Sequence, residues 1–228
     1  MLVFAFLVNA ISFAASQLWV SPDASYYVEL AGGLADRFDL RSQLFLIRPP
    51  GYPIFLAILF RLFGDASPIA IMVAQHIMVV GVVYLVTLIA WRITRQTWAA
   101  LIAGLMTACS LQLVTYANLV MTEVPYTLAL VWAVYHLVAY HQGNRCRDLA
   151  LASLLTGVSY LFRPIGMTFL PVCAAVALYS GIRTYCSASP LAKGGLRGVG
   201  FASRLWKSFG VRCAWSVAPA FAIVLPCM

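Results

Sequence analysis

The chain has 228 residues, of which 63% are hydrophobic and 10% charged, with a mean hydropathy of +0.90. That leaves too little polar surface to clothe a soluble globule and no room for a separate soluble domain, so the composition points to lipid as the solvent. The net charge of +8 does not read as nucleic-acid binding, because the basic residues sit between apolar stretches instead of forming a stripe on one module; the six cysteines lack any CxxC pair or His at ligand spacing, which argues against a disulfide framework or a zinc site.

Taken in chain order, the first apolar stretch runs from Met1 to about Val20 without a charge and without the basic leader of a secretory signal. It reads as a first membrane helix, residues 1–20, whose cytoplasmic tail is missing. Residues 21–66 form a long polar loop. Within it Tyr26, Tyr27, Leu30, Ala31 and Leu34 recur at helical spacing with Glu29, Asp36 and Arg37 between them, the pattern of a helix lying on the membrane surface. The run Pro49-Pro50-Gly51-Tyr52-Pro53 is expected to stop regular structure, and Ile54 to Phe63 is too short to span, so it reads as a second interfacial helix.

Further uncharged stretches follow at Ser67 to Trp91, Trp98 to Tyr116, Val124 to Tyr140, Leu149 to Phe162, Pro164 to Ile182 and Ala214 to Cys227. With Arg163-Pro164 taken as a turn between helices, the fold class is an all-α polytopic transmembrane bundle of about seven spans: a membrane bundle over residues 67–182, a basic cytoplasmic loop at 183–213 and a last span at 214–228. Gly194, Gly195, Gly198 and Gly200 in the basic loop match neither a Walker A loop nor a dinucleotide fingerprint.

Lys and Arg near span ends stay on the cytoplasmic side. With the amino terminus inside, ten of the fifteen basic residues fall inside, whereas Asp23, Glu29, Asp36, Asp39, Asp65 and Glu123 fall outside and only Asp148 inside; the two faces then carry about −1 outside and +9 inside. The long loop is therefore extracytoplasmic, in a multi-pass protein of the cell membrane.

Four charged residues from four connections share that outer boundary: Asp23 after the first span, Arg48 at the end of the loop, Glu123 at the start of the fourth span and Arg163 at the end of the fifth. Charge at this depth is costly and tends to mark a substrate path. Each also has a plain structural role available: Asp23 as a helix N-cap, Glu123 as an acid in a first turn, the two arginines as snorkelling side chains. His76, His136 and His141 read as packed or interfacial, and Trp19, Trp91, Trp98 and Tyr140 as an aromatic belt.

The run Pro22-Asp23-Ala24-Ser25-Tyr26-Tyr27-Val28-Glu29-Leu30-Ala31, followed by Arg48-Pro49-Pro50-Gly51-Tyr52-Pro53-Ile54-Phe55-Leu56 and Phe63-Gly64, resembles the first external loop of polytopic GT-C glycosyltransferases of the dolichyl-phosphate-mannose protein mannosyltransferase and aminoarabinose transferase type. Met121-Thr122-Glu123, Leu161-Phe162-Arg163-Pro164-Ile165-Gly166 and Gln75 are similar to further positions of that pattern. The resemblance implies an inverting hexosyl- or pentosyltransferase that moves a sugar from a polyprenyl-phosphate donor to a lipid, glycan or protein acceptor on the extracytoplasmic face. It implies a catalytic role for Asp23, a supporting or cation-holding role for Glu123, phosphate binding by Arg48 and Arg163, and substrate contacts by Tyr26 and Tyr52; no soluble cofactor is implied beyond a divalent cation. Two departures are visible. Asp23 is followed by Ala24 where the protein mannosyltransferases proper carry paired acids, and the chain is short for the family, as an amino-terminal fragment would be. The alternatives are a non-catalytic or inactive truncated membrane protein and, further off, a transporter, for which the repeated broken spans are missing.

Overall fold

The computed structural model describes residues 1–15, 22–37, 48–64, 67–188 and 218. Among these residues the architecture is all-helical: α1 (Leu2–Ala15), α2 (Pro22–Arg37), α3 (Gly51–Phe63), α4 (Pro68–Thr94), α5 (Thr97–Ala108), α6 (Leu111–Ala117), α7 (Glu123–Gly143), α8 (Cys146–Phe162), a 3₁₀ turn (Pro164–Phe169) and α9 (Leu170–Ala188). The expected last span, residue 218 apart, and most of the basic loop lie outside the described residues.

Helix boundaries follow local chemistry. Ser67 caps α4, its hydroxyl accepting from the Ala70 N–H at 3.4 Å, and Pro68 takes the first position, where a missing N–H costs nothing. Arg95 and Asn144, at φ of 58° and 55°, close α4 and α7 with left-handed residues whose N–H groups return to Trp91 and Tyr140. The run Pro49 to Pro53 does not stop the chain as expected: α3 starts at Gly51 with Pro53 inside its first turn. First-turn N–H groups have no helical partner, so proline is tolerated there.

Three other expectations are corrected. The stretch Trp98 to Tyr116 is not one straight span; it breaks at Cys109-Ser110 into α5 and α6, bent by 50°. The helix after Pro164 runs on through residue 188, so residues 183–188 are helical and not loop. Tyr140 belongs to no aromatic belt: it is fully buried against Leu137, Leu149, Ala152, Cys173 and Ala177, whereas Trp91 and Trp98 are exposed as a belt requires.

Helices α7 and α8 form an antiparallel hairpin, α4 packs on α5 and α7, and α1 lies against α4. The hairpin is tied at one end by His136 and Asp148, 3.2 Å apart, while His141 stacks on Tyr179 of α9. Among the described residues α4 is long and apolar enough to cross a membrane by itself, and the bent pair α5 and α6 qualifies when taken together. The short helices α2 and α3 pack on each other through a cluster that includes Tyr27, Ala31 and Leu34 with Tyr52, Leu56 and Phe60, and that extends to Ile71 of α4 and Val120 beyond α6. Fully burying side chains of this size stabilises by about 1.5–3 kcal/mol each, which fixes the helical hairpin against the bundle.

Candidate active site

The charged residues expected at the outer boundary gather around the α2–α3 cluster as two ion pairs. Arg48 Nη2 lies 2.6 Å from Asp23 Oδ1, and Arg163 Nη2 lies 3.2 Å from Glu123 Oε1. Asp23 is the second residue of α2, in its first turn and not at the N-cap position expected for it; Glu123 is the first residue of α7, and Arg163 is the extended C-cap of α8. Helix N-termini favour both acids by dipole, yet the arginines come from elsewhere in the fold, so capping alone does not account for the arrangement.

The pairs differ in exposure. Asp23 and Arg48 keep 42% and 31% of their side-chain surface, whereas Glu123 keeps 12% and its partner Arg163 keeps 44%. Glu123 Oε2 is buried without a hydrogen-bond partner among the described residues. Two tyrosines adjoin the pairs. Arg48 lies over the Tyr27 ring, 5.8 Å from its centroid, and Tyr27 meets Tyr52 edge to face at 5.1 Å. Burial raises the Tyr27 phenol above its ordinary pKa, with Arg48 pulling it down and the Asp23 and Glu123 carboxylates pushing it up. Tyr52 is raised further by burial, then by Tyr27 and Glu123, while a hydrogen bond from the Met121 backbone works the other way. Both phenols therefore feel Glu123, and Tyr27 feels Asp23 as well, so the pairs share one electrostatic neighbourhood.

A backbone contact explains why the two segments meet. A Cβ built on Gly51 would sit 2.6 Å from the Leu161 carbonyl oxygen, so only glycine lets the start of α3 approach the end of α8 this closely. Gly51 is three residues beyond Arg48 and Leu161 two before Arg163. The same device recurs at Gly166, where a Cβ would meet Ser159 Oγ at 2.6 Å and thus prevent the 3₁₀ turn after Arg163 from folding onto α8.

The remaining expected site residues separate. Tyr26 is exposed at 45% on α2. Tyr52 is fully buried, its ring against Tyr27 and Phe55 and its hydroxyl donating to Gln75 Oε1 at 3.5 Å, so it stands behind the ion pairs. His136 and His141 belong to the α7–α8–α9 contacts, away from these pairs. No three His, Cys, Asp or Glu side chains come together among the described residues, and each site acid is already held by an arginine whose charge opposes a cation. Among the described residues the donor set does not fit a divalent-cation centre.

Sequence reasoning underrated two buried residues. Gln75 donates from Nε2 to the carbonyls of Ala117 and Leu119 at 3.3 and 2.9 Å, and the neighbouring His76 lies between Asn9 Oδ1 at 2.7 Å and Asn118 Oδ1 at 3.0 Å. Polar side chains on consecutive positions of an otherwise apolar helix were the available signal.

Comparison with known proteins gives no match among curated proteins or solved structures. A family model described as dolichyl-phosphate-mannose-protein mannosyltransferase matches residues 47–204, more than two thirds of the chain, a range that contains Arg48, Glu123 and Arg163 and leaves Asp23 on its amino-terminal side. A strongly apolar chain that is all-helical among its described residues and carries that match over most of its length belongs to the dolichyl-phosphate-mannose-protein mannosyltransferase family, whose members are membrane glycosyltransferases.

Proposed function

We propose that the paired acids and arginines form the transfer site of a polyprenyl-phosphate-dependent glycosyltransferase on the extracytoplasmic side of the cell membrane. The chain then spans the bilayer about seven times, with residues 1–20 as the first span, 21–66 as the external loop, 67–188 as the bundle, 189–213 as a cytoplasmic basic loop and 214–228 as the last span. The positive-inside distribution of Lys and Arg supports this orientation.

The observation that carries the reading is the Arg48–Asp23 contact of 2.6 Å, beside a second acid–arginine pair around the same tyrosines. A carboxylate already neutralised by a guanidinium is a poor base. A donor phosphate competes for that guanidinium, because its oxygens match the planar fork, and binding of the donor thereby frees Asp23. The acceptor hydroxyl then gives its proton to the Asp23 carboxylate while its oxygen bonds to the anomeric carbon of the sugar. The bond from that carbon to the phosphate oxygen breaks with its electron pair on the departing polyprenyl phosphate, and Arg48 and Arg163 stabilise the charge that develops there. Attack opposite the leaving group inverts the anomeric centre. Glu123 keeps Arg163 oriented, and Tyr26 offers an exposed ring beside Asp23 for the sugar or acceptor.

Transfer from labelled dolichyl-phosphate mannose in membranes holding the protein tests this. Asp23→Asn, which keeps size and loses basicity, is expected to lower the rate by a factor of about 10² to 10⁴, the usual contribution of a general base. Normal turnover by that variant would refute the assignment of Asp23 as the base, whereas no transfer by the unaltered protein would leave the chain as a non-catalytic member of its family.

A further inference from the structure

Resting on the site reading above, we infer that Gln75, with His76 beside it, is a positioning residue for the transfer: it fixes the unwound segment 118–122 so that Glu123 arrives opposite Arg163. Between α6 and α7 the chain leaves helical geometry for five residues. Non-helical backbone among membrane helices survives only where protein satisfies its polar groups; the Asn118 and Leu119 N–H groups return to the Thr115 and Tyr116 carbonyls of α6, and among the described residues no backbone N–H returns to that of Ala117.

Gln75 supplies what is missing. Its amide has two N–H groups, and the Ala117 and Leu119 carbonyls accept from Nε2. Its oxygen accepts from Tyr52, which packs on Tyr27 and so on the neighbourhood of Arg48. One buried amide thus joins the tyrosine side of the site to the segment that delivers Glu123. His76 holds the same segment laterally through Asn118.

Gln75 is fully buried, so it does not touch substrate and acts through Glu123. Glu123 depends on such support, since Arg163 engages one of its oxygens and the other has no hydrogen bond among the described residues. The position of its backbone therefore decides where the carboxylate lies.

A double-mutant cycle on kcat/KM with labelled dolichyl-phosphate mannose, in the intact protein, isolates this dependence. Gln75→Met keeps the length and removes all three hydrogen bonds, and is expected to lower kcat/KM at least tenfold. Glu123→Gln should lower it by a similar factor, and the double variant should fall no more than about threefold below Glu123→Gln alone. Multiplying losses, with the double variant a hundredfold or more down, would overturn the positioning role while leaving the site reading intact. Full activity of Glu123→Gln alone would overturn the site reading and this role with it. If Gln75→Met fails to fold, as judged by thermal melting of the purified protein, Gln75→Glu serves in the same cycle: its neutral acid keeps one donor and one acceptor, and its smaller loss must again vanish in the Glu123→Gln background or the role is refuted.

Discussion

Replacing Gly51 by alanine tests how far the proximity of the two ion pairs depends on one backbone contact. The added Cβ would lie 2.6 Å from the Leu161 oxygen, where ordinary contact begins at about 3.4 Å, so α3 and the end of α8 must separate by roughly 0.8 Å. Both atoms that collide are close to the main chain, and no flexible side chain can swing away to absorb the strain. Overpacking of this kind costs about 1–3 kcal/mol of stability. The displacement also carries Arg48 and Arg163 apart, and a misplacement near 1 Å costs up to about 10²-fold in rate. Gly51→Ala is therefore expected to lose about 1–3 kcal/mol in denaturant unfolding and roughly 30- to 100-fold in transfer from labelled dolichyl-phosphate mannose. Gly32→Ala is the control, because a Cβ at Gly32 of α2 meets nothing within 4 Å. There the same substitution should stabilise by up to about 1 kcal/mol through helix propensity. Wild-type behaviour of Gly51→Ala, or an equal loss in Gly32→Ala, would refute the close-approach argument.

Two further outcomes concern stability. Asn9→Ala removes the side-chain bond to the Ala5 carbonyl and the partner of His76 Nδ1, leaving a buried polar ring atom unsatisfied; a loss of about 1–3 kcal/mol is expected, and an unchanged denaturation midpoint would show that the α1–α4 polar contact contributes nothing. Tyr27 and Tyr52 are both held neutral by burial, with pKa values raised from the ordinary 10.0. Below about pH 10 neither state ionises and their contribution is whole; above it the unfolded chain releases protons that the folded chain retains, so stability falls as pH rises. Unfolding followed from about pH 8 to 11.5 should show this alkaline decline, and Tyr27→Phe with Tyr52→Phe should flatten it. An unaltered slope would assign the decline to other groups.

Much of the fold was legible along the chain. The apolar stretch Ser67 to Trp91 became α4, Val124 to Tyr140 became α7, and the spacing of Tyr27, Ala31 and Leu34 marked the face that α2 buries. These features depend on near neighbours in sequence: an apolar run and a helical period. The bend at Cys109-Ser110 was not legible, because no proline or charge announces it. Nor was the helical start at Gly51, since a cluster of prolines breaks a helix interior yet fits a first turn.

The candidate site divides in the same way. Asp23, Arg48, Glu123 and Arg163 stood out because charge is expensive where they lie. Which acid meets which arginine could not be read from the residues, and the structure pairs Arg48 with Asp23 and Arg163 with Glu123. The family resemblance implied a substrate contact for Tyr52, which is enclosed behind the pairs, while Gln75 and His76 hold the segment leading to Glu123.

By itself the sequence determined that this is an apolar helical chain with its costly charges concentrated at a few connections, because hydropathy, helical period and capping are properties of local segments. The partners of those charges, the burial of Tyr52 and the contact of Gly51 with Leu161 were decided only by tertiary structure. They join residues tens of positions apart, and such distances are set by how whole helices pack and not by any local run of residues.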